Sequence, residues 1–173
     1  MPTPTSRAAG FAAAALAVPM LLAGCSSDSG STAGSQADAV EISDQWIKAA
    51  DSGMSAAFAT FTNNGDREAR IVDATSPAAG RMEIHETVDA NGAKTMRPKA
   101  GGLVVPAHGS VALKAGSDHL MFLDLEGPLR TGAQTPVTVK FADGSVRAFT
   151  AQVRDFPGNK ENYVPADSPA HGG

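Results

Sequence analysis

Short runs of β-forming residues, separated by tight-turn signals, constrain the fold of this 173-residue chain more than any other feature. The pairs Asn91-Gly92 and Asp143-Gly144 each lie between two such runs, and both are strong signals for a β-hairpin. No stretch between residues 39 and 156 keeps the apolar period of an amphipathic helix. The sequence therefore predicts an all-β domain of about eight or nine short strands, a β-sandwich or small barrel, with Trp46 in its core.

The first 25 residues predict export and lipidation. Segment 1–24 carries an apolar run that is too short and too interrupted to cross a membrane comfortably, as is typical of a signal peptide. It ends in Leu22-Ala23-Gly24-Cys25, which resembles the lipobox of bacterial lipoproteins. That resemblance implies cleavage before Cys25, lipidation of its sulfur with palmitate, and an anchor on the outer face of the bacterial cytoplasmic membrane. The alternative is an ordinary cleaved signal in which Cys25 is incidental.

The rest of the chain divides into a linker, one domain and a tail. Residues 25–38 are rich in Ser and Gly, so we expect Cys25 to be followed by a flexible linker. Residues 39–156 are long enough to bury a single core. Residues 157–173 are rich in Pro, Gly, Asn and Asp and predict a flexible tail, in which His171 is a solvated residue.

Composition excludes several classes of protein. The formal net charge is −4 with no basic cluster, so there is no electrostatic footprint for nucleic acid. Cys25 is the only cysteine, so the predicted domain has none for a disulfide, an iron–sulfur cluster, a thiolate zinc site or a blue-copper centre. No general acid, base or nucleophile is identifiable, and the familiar nucleotide-binding and hydrolase motifs are absent from the sequence. The sequence indicates a protein that is not an enzyme.

His119 and Met121 are predicted to lie side by side, because alternate side chains of a strand share a face. His85 and Met96 supply a second imidazole and a second thioether on the two arms of the Asn91-Gly92 hairpin. Two imidazoles and two thioethers without a thiolate form a soft, neutral ligand set that suits Cu(I) and is poorly suited to Mg²⁺ or Ca²⁺. This set indicates copper handling.

The same alternation separates core methionines from candidate ligands. Met82 falls on the face opposite to His85 and is interpreted as core filler. Met96 shares a face with Lys94, so we expect it near solvent. His108 fits the tip of a turn and is interpreted as solvated, while Met54 has no histidine nearby in the sequence.

The order of the four candidate ligands resembles a known signature. His85 and Met96 are separated by ten residues, Met96 and His119 by 22, and His119 and Met121 by one. This pattern is similar to that of the periplasmic copper chaperones of the PCuAC family. Surrounding segments agree at residues 82–86, 96–98, 102–107, 128–129 and 137–144. The resemblance runs from about Val40 to Val153, although the Met96–His119 spacing is one residue longer than the commonest pattern.

The resemblance implies a cupredoxin-like, immunoglobulin-like β-sandwich with one exposed Cu(I) site formed by His85, Met96, His119 and Met121; binding of Cu(II) stays open. It also implies delivery of copper toward the binuclear copper centre of cytochrome c oxidase. The expected partners are the copper ion, a membrane through the lipid anchor, and an oxidase copper subunit or another copper chaperone, with the protein as a monomer. Two alternatives stay open: a copper buffer or resistance lipoprotein, and an extracytoplasmic β-domain that binds no metal.

Overall fold

The structure, a computed structural model, describes residues 34–90, 92–158 and 162–164. Eleven strands and one short helix lie within these ranges. They are α1 (Gln36–Ala39), β1 (Val40–Lys48), β2 (Ser55–Asn63), β3 (Ala69–Thr75), β4 (Ala79–Ala90), β5 (Ala93–Pro98), β6 (Leu103–Val105), β7 (Ser110–Ala112), β8 (His119–Leu125), β9 (Gln134–Phe141), β10 (Val146–Arg154) and β11 (Asn162–Tyr163).

One hydrogen-bonded path joins the strands in the order β11-β5-β4-β8-β2-β1-β10-β9-β3-β6, with β7 paired to β2. The pairs β1–β10 and β11–β5 are parallel, and the others are antiparallel. The path forms an open β-sandwich around one large apolar cluster, which we call the main core. Its fully buried large side chains include Ile47, Phe61, Ile71, Leu120, Phe122 and Phe141. The predicted all-β sandwich is confirmed.

Both predicted hairpins are present. Ala90 pairs with Ala93, which leaves a two-residue connection between β4 and β5. Gly92 has a φ of 81° and Gly144 a φ of 84°, values at which a side chain would strain the backbone. The first hairpin fixes how β4 and β5, which carry the candidate ligands His85 and Met96, face each other, because turn geometry sets strand register.

A β-bulge in β1 moves Trp46 out of the predicted position in the main core. Ser43 pairs with Thr60 and Trp46 with Phe58, so two β1 residues face a single β2 residue. Asp44, inside the bulge, has a φ of 53°. The extra residue reverses the alternation of side chains. Trp46 therefore packs on the outer face of the sheet against Phe58, with ring centroids 4.5 Å apart.

The two ends of the domain differ from the sequence prediction. The last three residues of the predicted linker and Ala39, the first residue of the predicted domain, form α1. Ser35 and Asp38 cap this helix with reciprocal hydrogen bonds. Within the predicted flexible tail, Asn162–Tyr163 form β11 beside β5. The predicted signal segment, Cys25 and His171 lie outside the described residues. Within the described ranges, no helix has the length and apolarity needed to cross a membrane.

Candidate metal centre

The four candidate ligands come from three adjacent strands and lie on one face of the sheet. His85 of β4 is directly opposite His119 of β8, and Met121 lies two residues further along β8. Met96 of β5 is opposite Thr87, two residues from His85. Residues opposite each other in an antiparallel pair share a face, as do alternate residues of a strand. The imidazoles of His85 and His119 have centroids 5.5 Å apart.

The Glu83 carboxylate accepts a hydrogen bond from one ring nitrogen of His85, which leaves the lone pair on the other ring nitrogen. Nε2 of His85 lies 2.7 Å from Oε2 of Glu83, and it donates because a carboxylate at neutral pH only accepts. Nδ1 of His85 is buried and has no hydrogen-bond partner within the described part of the chain. Burial lowers the pKa of His85, although Glu83 opposes this effect. The neutral imidazole that results is the form that binds metals.

A backbone carbonyl fixes the tautomer of His119. Nδ1 of His119 donates to the carbonyl oxygen of Ser117 at 2.9 Å, so its Nε2 carries the lone pair. The Ser117 carbonyl also accepts a hydrogen bond from the Thr87 hydroxyl at 3.1 Å, which ties the turn before β8 to strand β4. Each imidazole is thus oriented by a hydrogen bond on one nitrogen, an arrangement typical of metal-ligating histidines.

The two thioethers lie in a small apolar cluster on the outer face of the sheet. This methionine cluster consists of Ala56, Phe58, Met96, Met121 and Leu123, with Trp46 and Tyr163 packed against it. Met121 is 3% exposed and Met96 is 4% exposed. The prediction that Met96 lies near solvent is therefore wrong.

Met96 is buried because of β11, which lies in the segment predicted to be a flexible tail. Tyr163 pairs with Met96 in parallel register, and its ring packs against the methionine cluster. The same ring stacks on His85, with centroids 5.3 Å apart and planes 10° apart. His85 and His119 are fully buried as well, so the site is covered rather than exposed as the resemblance implied.

An ion-pair network holds the turn that precedes His119. The Lys99 ammonium lies 3.3 Å from carboxylate oxygens of both Glu86 and Asp118. Partial burial opposes its charge, but the two carboxylates outweigh this effect and raise the pKa of Lys99. Hydrogen bonds from Arg97, and then from Lys99, lower the pKa of Glu86 despite some desolvation. The network joins β4 to the turn before β8 and so stabilises the spacing between the two histidines.

Met82 and His108 lie where the sequence predicts. Met82 is 7% exposed and belongs to the main core, on the opposite face of β4 from His85. His108 is exposed at a turn with a φ of 51°, and its Nε2 lies 2.9 Å from Asp66. Met54 is 45% exposed. Among the residues that the structure describes, no group of three or more His, Cys, Asp or Glu side chains could hold a metal ion.

Comparison with known proteins identifies the family. Residues 40–153 match the family described as "Putative lipoprotein LpqE-like". The chain belongs to the LpqE-like family. A relative from Leifsonia xyli subsp. xyli, "Putative lipoprotein Lxx21020", is 44% identical over 135 residues, which cover 78% of this chain and 81% of the relative. An uncharacterized protein from Rickettsia prowazekii is 28% identical over 107 residues, which cover 61% of this chain and 59% of that protein.

Solved structures relate this LpqE-like chain to PCuAC domains. The copper-bound PCuAC domain from PmoF2 superposes with a TM-score of 0.57 at 16% identity, covering 68% of this chain and 94% of that one, a likeness that shows the fold. Apo-DR1885 from Deinococcus radiodurans has a TM-score of 0.51 at 27% identity, covering 91% of this chain and 95% of that protein. The CuI form of DR1885 has a TM-score of 0.52 at 25% identity, covering 75% of this chain and 89% of that protein. The predicted PCuAC relationship is confirmed.

Three neighbours of the candidate ligands, Glu83, Thr87 and Tyr163, have no role predicted from the sequence. Glu83 shares a strand face with His85, which is a signal that alternation alone supplies. Thr87 lies on the same face, but its partner is a backbone carbonyl whose position the sequence does not reveal. Tyr163 lies in the predicted tail, and only the structure places it against the site.

Proposed function

We propose that this protein is an exported copper carrier that binds one Cu(I) ion through His85, Met96, His119 and Met121. The observation that carries the proposal is the convergence of these four side chains on one sheet face, with the lone pair of His85 Nδ1 buried and unused in hydrogen bonding. Two structural neighbours, the copper-bound PCuAC domain from PmoF2 and the CuI form of DR1885, support the choice of metal.

The chemistry of the donors fits Cu(I). Thioether sulfur and neutral imidazole are soft or borderline ligands that bind Cu(I) without adding negative charge. Glu83 holds the proton of His85 on Nε2, and the Ser117 carbonyl holds the proton of His119 on Nδ1. Nδ1 of His85 and Nε2 of His119 therefore carry the lone pairs that would bind the metal. A neutral ligand set of this kind can release the ion to a partner that offers thiolates.

The test is Cu(I) stoichiometry by competition with a chromophoric chelator, together with X-ray absorption of the Cu(I) form. We expect one Cu(I) per chain and mixed nitrogen and sulfur scattering. Replacing both Met96 and Met121 by leucine should remove the sulfur scattering and weaken binding. Met82→Leu is the matched control, because this buried methionine lies on the opposite face of β4. Unchanged binding in the double variant would overturn the ligand assignment.

We further propose that lipidation at Cys25 holds the carrier on the outer face of the cytoplasmic membrane and that its copper is destined for cytochrome c oxidase. The lipoprotein description of the family supports the anchor. A short tether would raise the effective concentration of the carrier beside a membrane-bound acceptor. In a deletion strain at low copper, an oxidase defect rescued by added copper would support delivery. Normal oxidase activity with greater copper sensitivity would instead identify a storage protein.

A further inference from the structure

The last described residues of the chain contact the outer face of the sheet at Trp46 and at the candidate ligand His85. Phe156 packs edge-on against Trp46, with ring centroids 5.2 Å apart. The carbonyl oxygen of Gly158 accepts a hydrogen bond from the Lys48 ammonium at 2.6 Å. Beyond it, Asn162–Tyr163 pair with β5. We call residues 156–158 and 162–164 the strap.

Tyr163 is the part of the strap that meets the site. Its ring lies nearly parallel to the His85 imidazole, and its hydroxyl lies 3.3 Å from Oε2 of Glu83, the oxygen that also accepts from His85. The amide of Val164 donates to the carbonyl of Met96 at 3.0 Å. Tyr163 therefore contacts one imidazole ligand directly and holds the carboxylate that orients it, while the backbone on either side pairs with the strand that carries a thioether ligand.

We infer that the strap is a cover for the metal site and that Tyr163 must move away before copper enters or leaves. The inference rests on the proposed function. His85 is fully buried and Met96 nearly so, so a thiolate of an acceptor cannot reach a metal between them while the strap is in place. Within the described residues, the part that must move, 162–164, is held by a two-residue strand, the stacked ring of Tyr163 and the contacts of its hydroxyl with Glu83 and Arg81. Phe156 and Gly158 have separate contacts with Trp46, Phe58 and Lys48 and can stay in place. Elements with so few contacts open locally without unfolding the domain.

A gated site has a kinetic signature that a merely packed tyrosine lacks. When copper-loaded protein is mixed with excess bathocuproine disulfonate, the transfer rate of the parent protein should level off as chelator concentration rises, because strap opening becomes limiting. Tyr163→Ala should raise the limiting rate roughly three- to tenfold, the range expected when one aromatic stacking contact is lost. A variant that ends at Gly158 should show a larger increase. Phe149→Ala removes a partly buried ring beside the main core and is the matched control, with no expected change in rate.

A second readout needs no copper. Tyr163 is the only tyrosine of the chain, so labelling with 3-fluorotyrosine gives a single ¹⁹F resonance. In the apoprotein we expect this resonance away from its position in the unfolded chain, and we expect His85→Ala to shift it. The inference would be overturned if the ¹⁹F resonance lay at its position in the unfolded chain and did not shift in His85→Ala. It would also be overturned by a transfer rate that stays proportional to chelator concentration and is unaffected by Tyr163→Ala. A parent protein that binds no Cu(I) would overturn the proposed function, while the ¹⁹F result would still decide the position of Tyr163.

Discussion

Replacing Glu83 by glutamine should weaken Cu(I) binding without removing any ligand. The Glu83 carboxylate accepts a 2.7 Å hydrogen bond from Nε2 of His85. A hydrogen bond to a charged group contributes about 1.5–3 kcal/mol, against about 0.5–1.5 kcal/mol between neutral groups. Replacing the carboxylate by an amide therefore weakens this hydrogen bond by about 1 kcal/mol, because the Glu83 side chain is 21% exposed and its charge is partly screened by solvent. That loss corresponds to roughly five- to tenfold weaker binding. Glu83→Ala should weaken Cu(I) binding by nearly hundredfold, the upper end of the effect seen when a hydrogen-bond partner of a metal-ligating histidine is removed.

Chelator competition at fixed pH measures both variants. Asp89→Asn is the matched control, because Asp89 lies on the same strand but its exposed carboxylate pairs with Lys94 near the hairpin turn. We expect its Cu(I) affinity to stay within about twofold of the parent, a difference well below 1.4 kcal/mol. The reasoning fails if Glu83→Gln leaves the affinity unchanged, or if Asp89→Asn lowers it equally.

Three further predictions follow from burial, charge and the lipobox. Met82→Ala should reduce the free energy of unfolding by about 2–5 kcal/mol, measured by urea denaturation, while Cu(I) affinity per folded molecule stays constant; lost affinity with unchanged stability would make Met82 a ligand. Burial lowers the pKa of His85 below its ordinary 6.5, so the unfolded chain takes up a proton at a higher pH than the folded chain does. The free energy of unfolding of the apoprotein should therefore fall as the pH drops below 6.5, and His85→Gln should make this fall less steep. Identical pH profiles for the two proteins would contradict this. Cys25→Ser should leave the protein uncleaved or released from the membrane in cell fractionation, and a soluble parent protein with a free thiol would refute lipidation.

Strand alternation predicted the faces of the site correctly, because one local rule decides them. Met82 lies in the main core while His85, on the same strand, faces the opposite way. The failures come from features that alternation does not contain. The bulge at Asp44 adds one residue to β1 and turns Trp46 to the other face, and no residue pattern distinguishes this bulge from a regular strand. Met96 is buried by Tyr163, a contact between residues 67 positions apart.

The position of α1 determines where mechanical force enters the domain. The amides of Gln36 and Ala37 donate to the side chains of Asp143 and Ser145 in the β9–β10 turn, at 2.7 Å and 3.1 Å. The same helix leads into the start of β1, whereas Trp46 lies six residues further along the strand, roughly 20 Å away at the usual rise per residue. Tension applied at Ser35 is therefore resisted by α1 and the β9–β10 turn before it reaches Trp46. Under the anchoring proposed at Cys25, tension on the chain would reach α1 first, and His85 and His119 would keep their spacing.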